Sequence, residues 1–251
     1  MRRARISPVL LACLTVAACG GADVRDVPVT TRTAAGTWTA PTAAEAAGRD
    51  NALVRVIEAI PARATLDLFA GNQKVFDNLE YKAVTPYREV PAARATFRLR
   101  PAGMDTAEPL AEATQQLRAG RHYTVVALPG EDTRAASFQI FEDPMELPDE
   151  GQTRVRIVHA SPDAGRLDVH VPGRGEPLVA GLDFQAVSKF TDMAAAATPL
   201  DIRPAERTES MLKIDDVNLS TDGVYTIVVI GRTRIEPPLE TLVIEDRIPR
   251  R

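Results

Sequence analysis

The chain has 251 residues, 45% of them hydrophobic and 25% charged, with 30 basic against 34 acidic side chains. That balance is an ordinary globular one, with length for about two compact domains. It excludes a nucleic-acid-binding surface, which needs a basic patch, and no run is apolar for the roughly 18 residues a membrane-spanning helix requires.

Residues 1–18 read as a secretory leader: Arg2, Arg3 and Arg5 form the positive end, Pro8 to Val16 the apolar stretch, and small residues precede the cut. Leu14-Thr15-Val16-Ala17-Ala18-Cys19 resembles the processing motif of bacterial lipoproteins, in which Cys19 is the acylated residue. Cleavage without lipidation is the alternative. Cys13 lies in the leader, so processing leaves no thiol for a disulfide, for catalysis or for a cysteine-bound metal. Losing the leader's three arginines leaves 27 basic against 34 acidic groups, a net charge of −7. Acyl chains, at about 0.8 kcal/mol per buried methylene, are then the membrane attachment. By the same resemblance, Gly20 in place of a retention aspartate implies the outer membrane of the cell envelope.

Residues 19–50 follow as a tether rich in Ala, Thr, Gly and Pro, without an apolar period, and so unable to build a core. A flexible segment of about 30 residues spans roughly 30 Å. Ala43 to Ala47 has the composition for a helical turn, and Trp38, the only tryptophan, is either a docking group or an incidental indole.

Beyond the tether the chain matches itself. Val54-Arg55-Val56-Ile57-Glu58-Ala59-Ile60-Pro61 aligns with Val155-Arg156-Ile157-Val158-His159-Ala160-Ser161-Pro162, and Leu66-Asp67-Leu68 aligns with Leu167-Asp168-Val169. Leu79 and Tyr81 face Leu182 and Phe184; Arg100-Pro101-Ala102 faces Arg203-Pro204-Ala205; Tyr123-Thr124-Val125-Val126 faces Tyr225-Thr226-Ile227-Val228. A period of about 100 residues is a whole domain, not a solenoid unit. Two domains are therefore expected, over residues 51–145 and 152–246, joined by an acidic connector from Glu142 to Gly151.

In each, short strands rich in Val, Ile, Leu, Thr and Phe alternate with Gly, Pro, Asn or Asp turns every 8 to 12 residues or so, which predicts an all-β sandwich. The period of two in Val54-Arg55-Val56 and Val155-Arg156-Ile157 puts aliphatics inward and arginines toward water. Phe97, Leu99 and the Leu-Asp-Leu pattern read the same way. Thr106 to Leu117 is the best helix candidate, with Glu206 to Val217 its counterpart. Gly120 before Tyr123 and Gly223 before Tyr225 suggest tyrosines that bond back to the backbone at a strand corner.

His159-Ala160-Ser161-Pro162-Asp163-Ala164, followed by Leu167-Asp168-Val169, resembles the hallmark of a bacterial envelope family, domain-of-unknown-function family 4397. The resemblance covers Arg154 to about Ile230 and implies immunoglobulin-like or transthyretin-like sandwiches, often in tandem on lipid-anchored proteins. It implies no activity. The first copy departs from it, with Glu58-Ala59-Ile60-Pro61-Ala62-Arg63 where the motif should stand.

His159, Ser161 and Asp163 are the residue types of a hydrolytic triad, but alternate residues of a strand sit nearly 7 Å apart along the backbone, too far for easy nucleophile–base contact. No Gly-x-Ser-x-Gly elbow occurs. The structural reading has His159 bonding to backbone and Ser161-Pro162-Asp163 forming a turn in which Asp163 caps the next amides. A metal alternative centres on His159, Asp168 and His170, two of them on one strand face; His122 is the third histidine. Asp215-Asp216 lacks the spacing of a calcium loop, and Gly173-Arg174-Gly175 reads as a hairpin tip. Open strand edges offer β-augmentation, with Pro86, Pro172 and Pro199 as possible guards. The basic end, Arg247 to Arg251, is either a contact for anionic groups or a solvated terminus.

The sequence thus predicts a lipid-anchored pair of β-sandwiches that binds or spaces an envelope protein or polysaccharide, with no cofactor and no catalysis; the alternative is a metal-binding protein or metal-assisted enzyme.

Overall fold

A computed structural model describes residues 50–61, 64–130, 136–144 and 146–246. The leader, Cys19, the tether with Trp38, and Arg247 to Arg251 lie outside the described residues.

The chain forms sixteen strands among them and no helix. In order they are β1 (Asn51–Glu58), β2 (Leu66–Ala70), β3 (Gln73–Leu79), β4 (Arg88–Pro91), β5 (Arg94–Pro101), β6 (Ala111–Gln116), β7 (His122–Pro129) and β8 (Ala136–Asp143). There follow β9 (Gln152–His159), β10 (Leu167–His170), β11 (Val179–Leu182), β12 (Thr191–Ala194), β13 (Ala197–Pro204), β14 (Leu212–Asn218), β15 (Val224–Ile230) and β16 (Glu240–Asp246). Four sheets result, ordered β4-β1-β7-β8, β3-β2-β5-β6, β12-β9-β15-β16 and β11-β10-β13-β14. The last two repeat the first two with each strand number raised by eight.

Each sandwich closes through a parallel pair, β1 with β7 (Val54 opposite Tyr123) and β9 with β15 (Val155 opposite Tyr225). Such a pair needs a long crossover, and here the crossover is the opposite sheet. One core gathers Val54, Val56, Leu68, Phe97, Leu99 and Val125; the other gathers Ile157, Leu167, Val169, Leu200, Ile202 and Ile227. A third apolar cluster joins Ile57, Ala59, Val126 and Leu128 of the first sandwich to Val158, Ala160, Val228, Ile230, Leu242 and Ile244 of the second. The two inner sheets therefore pack face to face, giving four stacked layers.

That packing overturns one expectation. Arg55 and Arg156 do not face water: they are 4% and 2% exposed, because the outward face of each inner sheet is covered by the other sandwich. Asp67 is likewise buried, at 1%. No helix forms at Thr106 to Leu117 or at Glu206 to Val217. Ala111–Gln116 is β6, paired with β5, and Leu212–Asn218 is β14, paired with β13. The helix-favouring Ala, Glu and Gln of β6 alternate burial with exposure from Ala111 onward, so sheet pairing outweighs their propensity. Pro199 guards no edge; it sits at a bulge in β13, an interior strand, where a ladder bond is already lost.

Candidate functional site

The motif residues lie at the end of β9 and in the turn beyond it. The His159 ring is fully buried and packs edge-to-face on Phe184, with centroids 5.8 Å apart. Its Nε2–H donates to the Gly165 carbonyl at 2.6 Å, and its Nδ1 accepts the Ser161 amide at 3.3 Å. Those partners require the neutral Nε2–H tautomer, and burial pushes the pKa down in the same sense. Ser161 Oγ is buried with no partner among the described residues, and so no base among them to activate it.

Asp163 does not cap the amides that follow it. Its carboxylate reaches the loop after β15, accepting the Thr233 amide at 2.9 Å and the Thr233 hydroxyl at 3.0 Å. The intervening Pro162 fixes the turn that aims it there.

Asp168, on β10, accepts the amides of Gly181 at 2.6 Å and Glu206 at 3.0 Å. In the first sandwich Asp67 accepts the amides of Asn78 at 2.8 Å and Gly103 at 3.1 Å, and Lys74 pairs with it at 2.8 Å. Burial raises the Asp67 pKa, but Lys74 and the two amides outweigh it and hold the group below the usual carboxylate range. The repeated aspartate is thus a staple that fastens the neighbouring edge strand, at Asn78 or Gly181, and one loop, at Gly103 or Glu206, onto its own strand in each copy.

His159 belongs to an inner sheet, whereas Asp168 and His170 stand on an outer one. Among the described residues no three His, Cys, Asp or Glu side chains group closely enough to hold an ion.

The tyrosine corners form in both copies: Tyr123 Oη accepts the Arg118 amide at 3.1 Å, and Tyr225 Oη accepts that of Ser220 at 2.9 Å. Gly223 is required beside the second, since a Cβ there would run into the Tyr225 ring.

The largest concentration of buried charge is between the sandwiches. Arg55 Nε donates to Thr124 Oγ1 at 2.7 Å, and Arg156 Nε to Thr226 Oγ1 at 2.9 Å. Each guanidinium then crosses to the other sandwich. Arg55 takes both oxygens of Asp246, the Nη2–Oδ2 bond measuring 3.0 Å, and Arg156 Nη2 bonds Asp143 Oδ1. Asp143 Oδ2 also accepts Thr124 Oγ1 at 2.6 Å and Tyr87 Oη at 2.7 Å. Aromatic rings cover both cations: Tyr87 lies 4.8 Å from Arg55, while Phe141 and Phe190 lie 4.0 and 4.7 Å from Arg156.

Burial alone would raise the pKa of Asp143, but the Arg55 and Arg156 charges outweigh it and the group stays ionised. Burial pushes Asp246 up, and the nearby Asp143 charge adds to that. His122 stands at the rim of this cluster, edge-on to Tyr87 at 5.0 Å, with both ring nitrogens buried and unbonded among the described residues; burial depresses its pKa. Sequence reasoning missed this cluster. The repeat extends one strand further than was aligned, Phe141-Glu142-Asp143 matching Ile244-Glu245-Asp246, and Glu142 with Asp143 ends β8 rather than opening a connector.

Compared with known families, residues 52–170 match the model of DUF4397, a domain of unknown function. The matched segment runs from β1 to the end of β10, taking in the copy that lacks the motif as well as the motif itself. No curated protein matches the chain.

Proposed function

Since residues 52–170 belong to the DUF4397 family, whose description names no activity, we propose from the chain's own geometry that it is a non-catalytic binding or spacer protein of the cell envelope. It is held by lipid on Cys19 in the outer membrane, and its partner is an envelope protein or polysaccharide. The observation that carries the non-catalytic part is the fate of the motif: both His159 nitrogens and the carboxylates of Asp163 and Asp168 are spent on holding backbone and loop groups. An acid or base would need a free position beside a reacting atom. The spacer part is supported by the shared apolar and ionic joint, which couples two sandwiches into one body. The leader and Cys19 support the anchor.

The experiment is metabolic labelling with an alkyne fatty acid, followed by in-cell crosslinking and mass spectrometry. Label on the wild type, its loss with release from membranes in Cys19→Ser, and one recurrent crosslinked partner are expected. An unlabelled wild type, or a label that survives Cys19→Ser, contradicts the anchor.

A further inference from the structure

The two interfacial arginines are related by the repeat, yet they are not equally satisfied. Arg55 uses Nε on Thr124 and both terminal nitrogens on Asp246. Arg156 uses Nε on Thr226 and Nη2 on Asp143, and its Nη1 has no hydrogen-bond partner among the described residues. The difference has a cause. Asp143 Oδ2, which would complete a two-pronged pair with Arg156, is taken by the hydroxyls of Thr124 and Tyr87. At the place of Tyr87 the second copy has Phe190, which brings no hydroxyl of its own.

On this side the seam opens into a cleft of about 790 Å³, within the size range of small-molecule sites. Gln139, Phe141, Arg156, Val187, Lys189 and Phe190 line it. The Arg156 side chain is only 3% exposed and is clamped between the rings of Phe141 and Phe190, so its direction is fixed before any ligand arrives. Lys189 is exposed and has no ion-pair partner among the described residues, whereas Glu142 at the rim is neutralised by Arg121 at 3.4 Å. Glu146 lines the cleft as well, so its walls carry three cations, Arg121, Arg156 and Lys189, against two carboxylates, a net charge of +1 beside apolar wall.

We propose that this cleft binds a small organic carboxylate, with Arg156 Nη1 and Lys189 holding the carboxylate and Phe190 and Val187 flanking its apolar body. The ligand oxygen would stand to Arg156 as the second oxygen of Asp246 stands to Arg55. A planar carboxylate suits a fixed guanidinium fork better than a spherical anion does. The inference deepens the binding role proposed above and rests on it.

The test is a titration of ¹⁵N-labelled full-length protein in detergent with phenylacetate, and separately with acetate, inorganic phosphate and phenethylamine. The Arg156 Nε–H signal and the amides from Val187 to Phe190 are followed by NMR. Saturable shifts confined to those groups are expected with phenylacetate, weaker ones with acetate, and none with the amine. Lys189→Glu should weaken phenylacetate by about fivefold, and Gln139→Trp, which fills the cleft, should abolish its binding without moving signals elsewhere. Absence of saturation, phosphate binding as tightly as phenylacetate, equal response to the amine, or an unchanged affinity in Lys189→Glu would each overturn the assignment. Failure of acylation at Cys19 would leave these shifts as they are, so the two proposals fail separately.

Discussion

Glu58 occupies in the first sandwich the place that His159 occupies in the second, and it makes the matching bond: Glu58 Oε1 accepts the Ile60 amide at 2.8 Å, as His159 Nδ1 accepts the Ser161 amide. The remaining oxygen, Oε2, is buried without a partner among the described residues. Burial pushes the Glu58 pKa up to about 8, against the pull of the Ile60 amide, so at neutral pH the group is largely a protonated acid. Acceptor on one atom and donor on the other, it offers the same pair of functions as a neutral imidazole. Glu58 thus reproduces the acceptor bond of His159, while the donor bond from His159 to Gly165 has no counterpart at Oε2 among the described residues.

A raised acid pKa fixes the sign of a pH effect. Below about pH 4.5 Glu58 is protonated in both folded and unfolded chains, and its contribution is complete; between there and about pH 8 the unfolded chain ionises first, and stability falls. The loss is on the order of a few kcal/mol. Urea unfolding of the wild type from pH 5 to 9 should show this decline, and Glu58→Gln should flatten it. A slope unchanged in that variant would refute the protonated state.

His159 works in the opposite direction. Its pKa is depressed, mainly by burial, so its contribution is present above the ordinary histidine range near pH 6.5 and is lost as pH falls below it. His159→Glu should exchange this acid sensitivity for the alkaline sensitivity of the first copy. Melting temperatures at pH 5 and pH 8 for the two proteins would show the reversal directly.

Asp143 accepts from Arg156, Thr124 and Tyr87 together. Asp143→Asn leaves two guanidiniums with one carboxylate in a buried seam, which should cost about 3 kcal/mol or more. The expected signature is a split denaturation curve as the sandwiches lose their coupling. Replacing Arg55 and Asp246 together by Met and Leu should cost far less than either single change, because no charge is then left uncompensated.

Tyr225→Phe removes the acceptor of the Ser220 amide and the contact with Ser220 Oγ at 2.8 Å, and should destabilise by about 1 to 2 kcal/mol. Gly223→Ala should be worse, since the ring must shift to admit the methyl group. Chemical denaturation of both variants checks the order.

The strands and their period were legible because each copy alternates one buried aliphatic face, as at Val54 and Val56 or Leu167 and Val169. The tyrosine corners were legible because in each copy a Gly stands two or three residues before a Tyr that opens an apolar run. What the other face meets was not. Val-Arg-Val alternates in the same way whether its arginine faces water or a second sheet, and long basic side chains default to solvent. A signal did exist in Val125-Val126-Ala127-Leu128 and Ile227-Val228-Val229-Ile230, whose unbroken apolar runs mark strands covered on both faces. The destinations of Asp67, Asp163 and Asp168 were hidden for another reason: their partners, from Asn78 to Thr233, are chosen by loop geometry that local pattern does not encode.

Crossed arginine–aspartate pairs join the two sandwiches into one body. Native-state hydrogen exchange of the full chain tests this most directly. Amides of β1 and β7 and those of β9 and β15 should share one opening free energy, equal to that of global unfolding. Exchange of either sandwich through a separate, lower-energy opening, with the other still protected, would contradict it.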